Sequence, residues 1–222
     1  MKTILLIRHG ESQGNANAVY QNPDSPLTAS GRNQSLRVAA RLAKDEPYHA
    51  LVSSTLRRAR ETAEIIGEKL GLSPATSDLF VERRKPSAHI GLGKVSPEML
   101  AISKTIHENF REGFRFSDEE NFDDLKSRAG RALAHLAALP CERILVATHG
   151  VFMRCMAAHA TFGQAISGRE MGEFMRAFRT DNGGIATLEY DESRANPWLI
   201  RSWNDRAHFS DPSLLLEDQD RL

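Results

Sequence analysis

Two histidines each close an apolar run and each is followed by glycine. His9-Gly10 comes after Thr3–Ile7 and Arg8, and Thr148-His149-Gly150 comes after Ile144–Ala147. Arg57 opens the periodic segment that follows Ala50-Leu51-Val52. Residues of these types suit phosphoryl transfer, which needs a nucleophile, donors for three equatorial oxygens and an acid for the leaving group. Guanidinium groups grip phosphate with a fixed fork. The start of a helix favours anions through its free N–H groups, and glycine lets backbone and ligand approach closely. Two arginines and a second histidine could therefore neutralise a phosphate locally.

The elements that must position these residues alternate between strand and helix. Thr3–Ile7, Ala50–Val52 and Ile144–Ala147 are short β-prone runs of the kind buried on both faces of a sheet. Thr76–Val81 is expected to be a third strand in chain order, and Ile185–Tyr190 and Trp198–Trp203 two late ones. Helices are expected over Ser30–Ala43, with Leu36, Ala39, Ala40 and Ala43 on one face, and over Leu56–Leu70, closed by Gly71. Others are expected over Pro97–Arg111, Phe122–Ala138, Val151–Phe162 and Arg169–Phe178, with a peripheral tail after Ala207. The alternation predicts an α/β fold, a three-layer α/β/α sandwich with a mostly parallel sheet. Sites in such sheets form beyond the carboxyl ends of strands, where both His-Gly pairs lie. Residues 83–121 break the alternation with charge, Pro86, Gly91, Gly93 and Pro97, and read as an insertion into a single domain spanning 1–222.

At 222 residues, with 41% hydrophobic and 26% charged, the composition is that of a globular protein. Lys+Arg 29 against Asp+Glu 29 leaves no basic excess for nucleic acid or an anionic membrane, so neither is expected as a partner. No apolar run approaches the roughly 18 residues of a membrane helix. Cys141 and Cys155 lack CxxC spacing and are expected to be free thiols. A cytoplasmic location is the expectation.

The run Arg8-His9-Gly10-Glu11-Ser12, with Asn15 following, resembles the signature of the histidine phosphatase superfamily, the phosphoglycerate mutase-like proteins. Further resemblances occur in order: Pro26-Leu27-Thr28 with Gly31; Ser53-Ser54 with Arg57, Ala59 and Glu61-Thr62-Ala63; Glu82; Thr148-His149-Gly150; and Asn182-Gly183. They span about Thr3 to Leu188. The resemblance implies that His9 attacks phosphorus and becomes a phosphohistidine. It further implies that Arg8, Arg57 and His149 hold the phosphoryl oxygens, with Asn15 and Gly150 beside them. Glu82 would be the acid for the leaving oxygen and the base for water. Arg58 and Arg60, flanking the family position, are expected at the surface or in ion pairs. No metal or other cofactor is implied.

Mutases of the glycolytic type carry a Glu-Arg-His-Tyr-Gly run after the acid, whereas this chain has Glu82-Arg83-Arg84-Lys85-Pro86. The departure favours a phosphatase over a phosphoglycerate mutase-type phosphotransferase. A phospho-ligand-binding protein without turnover is a second alternative. The 83–121 insertion is expected to cap the site, where Arg83, Arg84, Lys85, His89 and Lys94 are candidates for a second anionic group. A phosphorylated metabolite or a phosphoprotein is the expected substrate, and the number of subunits is left open.

Overall fold

The computed structural model describes residues 1–18, 22, 24–89, 92–93, 95–211 and 213. Gly91 and Lys94, singled out above, lie outside them. The sheet has the order β3-β2-β4-β1-β5-β6. Its strands are β1 (Lys2–Arg8), β2 (Ala50–Ser53), β3 (Ala75–Thr76), β4 (Arg143–Thr148), β5 (Ile185–Tyr190) and β6 (Trp198–Asp205). The first four run parallel; β5 pairs antiparallel with β1, and β6 with β5. Parallel pairing of β1 with β4 sets Arg8 opposite Thr148, so His9 and His149 leave the sheet at one edge, side by side.

A single helical turn, α1 (Gln13–Ala16), follows β1, and longer helices cover both faces. Ile4 and Leu6 point into a core shared with α5 (Phe122–Ala138) and α6 (Gly150–Phe162). Leu5 and Ile7, one residue out of phase, point into a second core with α2 (Ala29–Leu42) and α3 (Arg57–Leu70). Removing each such side chain from water stabilises the fold by about 1.5–3 kcal/mol. The strand is thereby anchored on both sides, and the residues at its end inherit that rigidity.

Three expectations are corrected. The segment Thr76–Val81 is a strand only at Ala75–Thr76. Ser77 then accepts the Leu79 N–H and starts a single 3₁₀ turn, Asp78–Phe80, that buries Phe80. In α2 Ala39 and Ala40 are buried as expected, beside Ser35, Val38 and Leu42, while Leu36 is exposed and Ala43 lies beyond the helix end. The reason is a close backbone approach: a Cβ on Gly31 would collide with the Glu11 carbonyl, and one on Gly10 with the Gly31 carbonyl. That fixes the rotation of α2 against the loop after β1. Finally, Ala207–Phe209 is not peripheral, since His208 is buried, bonds Arg41, and Phe209 offers its carbonyl to Arg37.

Residues 83–121 contain α4 (Pro97–Glu108), capped by Ser96, with Met99 and Ile106 buried. No described helix is long and apolar enough to cross a membrane.

Candidate functional site

His9 is buried, and its ring is fixed by its own chain: Nδ1 lies 2.6 Å from the Gly10 carbonyl. A carbonyl only accepts, so Nδ1 carries the proton and Nε2 the lone pair. Burial holds the imidazole well below its ordinary pKa, with Arg58 and Arg8 pushing the same way and the Gly10 bond opposing them. The ring is therefore neutral at pH 7, as a nitrogen nucleophile must be.

The Nε2 lone pair accepts from Arg58 Nε at 3.3 Å. Arg58, not Arg57, is the arginine of this site. Arg57 lies outward, half-exposed, bonded to Glu61 and paired with Asp24. The cause is helical geometry. Successive residues of a helix are about 100° apart, so Arg57 and Arg58 point in different directions. Arg58 falls on the buried stripe of α3 with Ala59, Thr62 and Ile66, whereas Arg57 stacks on Glu61 one turn later. Burial lowers the Arg58 pKa to about 10, Glu82 opposing and Arg8 adding.

His149, fully buried, sits with its ring centroid 5.0 Å from that of His9. Its Nε2 is 2.8 Å from Ser54 Oγ, which also accepts the Leu56 N–H. A hydroxyl carries one proton and two lone pairs; when it turns that proton to Nε2, the His149 N–H lies on Nδ1. Burial, then Arg58, His9 and Arg8, keeps this ring neutral as well. Arg8 reaches across to the Thr180 carbonyl at 2.6 Å. Three buried atoms of this group, Arg8 Nε, Arg58 Nη1 and His149 Nδ1, have no hydrogen-bond partner among the described residues. Buried donors without acceptors are costly. Two guanidinium groups and an imidazole gathered around a nucleophilic nitrogen are complementary to a tetrahedral oxyanion.

Glu82 follows the 3₁₀ turn and reaches the start of α6. Its carboxylate accepts N–H bonds from Phe152 (3.0 Å), Val151 (3.2 Å) and its neighbour Arg83 (2.9 Å). The segment that carries it is strapped down by Arg128 of α5. The Arg128 guanidinium donates to the Leu79 and Val81 carbonyls and, from Nε and Nη2, to both oxygens of Glu120. It also lies 3.8 Å over the Phe152 ring. Glu120 in turn accepts the Arg84 N–H. Sequence reasoning missed Arg58, Ser54 and Arg128. An arginine falling on the otherwise apolar stripe of a helix was the legible signal for Arg58 and Arg128.

The other predicted residues are placed as follows. Asn15 caps the turn after β1. Its Oδ1 accepts from Ser12 N, Ser12 Oγ and Asn182 Nδ2, and Asn182 also donates to the His9 carbonyl. Gly150 starts α6 where a Cβ would lie 2.7 Å from Thr180 Oγ1 and 3.2 Å from Arg8 Nε. Arg84 turns away to the Asp118 carbonyl, and His89 is buried. A cavity of about 190 Å³ opens beside the site, lined by Arg8, Glu82, Gly150, Val151, Arg154, Arg179 and Thr180.

Comparison with known proteins identifies the family and the fold. The model of the histidine phosphatase superfamily (branch 1) matches residues 4–206. The chain is 30% identical over 225 residues to "Probable phosphoglycerate mutase GpmB" of Shigella boydii, covering 96% of this chain and 98% of that protein. The protein of the same name from Escherichia fergusonii is 30% identical over 224 residues, with the same coverage. Among solved structures, a mycobacterial glucosyl-3-phosphoglycerate phosphatase complexed with VO3 superposes with a TM-score of 0.76 at 21% identity, over 93% of this chain and 100% of that one. A phosphoserine phosphatase mutant from Entamoeba histolytica, in complex with phosphoserine, gives 0.75 at 20% identity, over 94% and 99%. These two likenesses establish the α/β fold.

Proposed function

The chain belongs to the histidine phosphatase superfamily, and on that premise we propose that it is a phosphatase that hydrolyses phosphomonoesters through a phosphohistidine on His9. The observation that carries this reading is the His9 Nε2 lone pair held beside Arg58 and His149, with its opposite nitrogen fixed by Gly10.

In the first step Nε2 forms a bond to phosphorus as the bond to the leaving oxygen breaks in line. Arg8, Arg58 and the His149 N–H take the three equatorial oxygens, where charge is greatest in the transition state. Arg58 moves its hydrogen bond from Nε2 to a phosphoryl oxygen as the substrate arrives. Asn15 contributes through its Nδ2, its Oδ1 being occupied. Glu82 gives its proton to the departing alkoxide. In the second step Glu82 takes a proton from water, water attacks phosphorus, and the Nε2–P bond breaks to release phosphate. Protein cations carry the phosphoryl charge throughout, so no metal or other cofactor enters the scheme. In this reading the described part of the 83–121 insertion serves as the cap, and the substrate is a small phosphorylated metabolite or a phosphoprotein.

The name of the 30% identical relatives favours a second reading, in which a substrate hydroxyl instead of water receives the phosphoryl group. The same first step serves both. Lys85, Pro86 and the absence of the mutase run after Arg83 support water as acceptor. The test is hydrolysis of p-nitrophenyl phosphate in the presence of EDTA, run beside a phosphoglycerate mutase assay primed with bisphosphate. Release of phosphate that exceeds isomerisation supports the phosphatase. Isomerisation without hydrolysis supports the mutase, and absence of both leaves a phospho-ligand-binding protein.

A further inference from the structure

The carbonyl that fixes His9 belongs to a peptide with little steric support of its own. A Cβ on residue 10 would collide with the Gly31 carbonyl, so the position must be glycine. Glycine in turn leaves the following peptide freer to rotate than any other residue would. That peptide, Gly10–Glu11, presents two groups. On one edge is the carbonyl that takes the His9 Nδ1 proton at 2.6 Å. On the other is the Glu11 N–H, and in a planar trans peptide the two point in opposite directions. The Glu11 N–H donates to Gln34 Oε1 of α2 at 2.8 Å. The flanking peptides are tied separately: the Gly10 N–H donates to Thr62 Oγ1 at 3.1 Å, and the Glu11 carbonyl accepts the Thr28 N–H at 2.9 Å. Gln34 therefore grips the far edge of the very peptide whose near edge holds the nucleophile.

We propose, on the basis of the phosphatase reading, that Gln34 is a positioning residue for His9, acting through the Gly10–Glu11 peptide. Its first effect is on orientation. If the peptide turned over, the Glu11 N–H would face Nδ1, which could then only accept. The ring proton would move to Nε2, and the lone pair that attacks phosphorus would be lost. Its second effect is on charge. As the Nε2–P bond forms and the leaving oxygen departs with the Glu82 proton, Nδ1 keeps its own proton and the ring becomes cationic. The Gly10 carbonyl faces that charge from the side on which a carboxylate supports the histidine of a Ser-His-Asp triad. An acceptor on the far N–H polarises the amide and strengthens its carbonyl as an acceptor. Gln34 thereby stabilises the phosphohistidine relative to the free ring.

The experiment follows the two half-reactions separately by quench-flow with p-nitrophenyl phosphate, the phosphoenzyme being trapped in alkaline denaturant and counted by mass spectrometry. Gln34→Leu removes the acceptor with little change in size. It is expected to slow phosphoenzyme formation by about three- to tenfold, the worth of one hydrogen bond. Breakdown is expected to hold or quicken, because a less stabilised cationic ring is the better leaving group. The fraction of enzyme phosphorylated in the steady state therefore falls. Gln34→Glu restores an acceptor oxygen and is expected to bring formation back near the wild-type rate. Gln34→Met, which keeps the length of the side chain, replaces Gln34→Leu if the latter does not fold. Arg37→Ala releases α2 from the Phe209 carbonyl and controls for mere loosening of the helix; it keeps the wild-type ratio of the two rates. Unchanged formation in Gln34→Leu, equal slowing of both half-reactions, or a Gln34→Glu variant as slow as Gln34→Leu overturns this inference alone. Turnover by the wild type with no phosphoryl group on His9 overturns the phosphohistidine reading beneath it.

Discussion

Replacing Arg58 with methionine separates the two neighbouring arginines of α3. Arg58 is buried, donates to the His9 nucleophilic nitrogen and has no carboxylate partner among the described residues. Loss of one charged donor to a transition-state oxyanion costs on the order of 10²–10³ in kcat, or about 2.7–4 kcal/mol. A second effect follows from charge. Arg58 helps hold the His9 pKa down, so its removal raises that pKa. His9 must be neutral to attack, and the acidic limb of the rate profile therefore moves to higher pH. Stability changes the other way from activity. No ion-paired carboxylate is stranded when Arg58 is removed, and a buried guanidinium whose desolvation outweighs its attraction to Glu82 is lost, so the melting temperature is expected to hold or rise. Arg57→Ala disturbs only an exposed pairing with Glu61 and Asp24 and is expected to leave turnover close to wild type. The assay is kcat and KM for p-nitrophenyl phosphate from pH 5 to 8, with thermal unfolding of each variant. A loss in Arg57→Ala comparable with that in Arg58→Met, or wild-type turnover in the latter, refutes the assignment.

Glu82→Gln should slow alkyl phosphates far more than aryl phosphates, whose leaving groups need little protonation; equal slowing removes Glu82 from the acid role. Arg128→Met should destabilise the fold by about 3–5 kcal/mol in urea unfolding, because it strands the Glu120 carboxylate and frees the Leu79 and Val81 carbonyls. Adding Glu120→Gln should recover part of that loss, and no recovery would mean that the stranded charge is not the cause. The pH dependence of stability has a definite sign. His9, His149 and His208 all have pKa values lowered in the folded state, His208 to about 4, with burial the leading cause. Between those values and 6.5 the unfolded chain binds more protons, so stability falls as pH drops from about 6.5 toward 4. The His208→Asn variant should show a shallower decline in melting temperature over that window, and an unchanged slope would contradict the assignment.

The sheet, both His-Gly strand ends and most helices were legible because each rests on local pattern: apolar runs for β1 and β4, three-and-four spacing for α3 and α5. The paired histidines needed only the register of two parallel strands. What escaped was decided by rotation and by distant partners. One residue of phase in α3 exchanges Arg57 for Arg58, and the sequence reading sets the family resemblance on Arg57, the residue that turns outward. The buried stripe at 58, 62 and 66 carried that information. The role of Ser54 depends on β2 lying beside β4, and that of Arg128 on a loop 47 to 49 residues away in sequence. The Asp78–Phe80 turn competes with a strand through one serine cap, a balance too fine for propensity to settle.

The phosphorylated intermediate itself offers the most direct test. The enzyme is mixed with excess p-nitrophenyl phosphate, quenched in alkaline denaturant to preserve the acid-labile N–P bond, and mapped by mass spectrometry. A phosphoryl group on the peptide that carries His9, absent from His9→Ala, is the predicted result. Turnover with no modified His9 peptide, or an equal yield of phosphopeptide from His9→Ala, would contradict it.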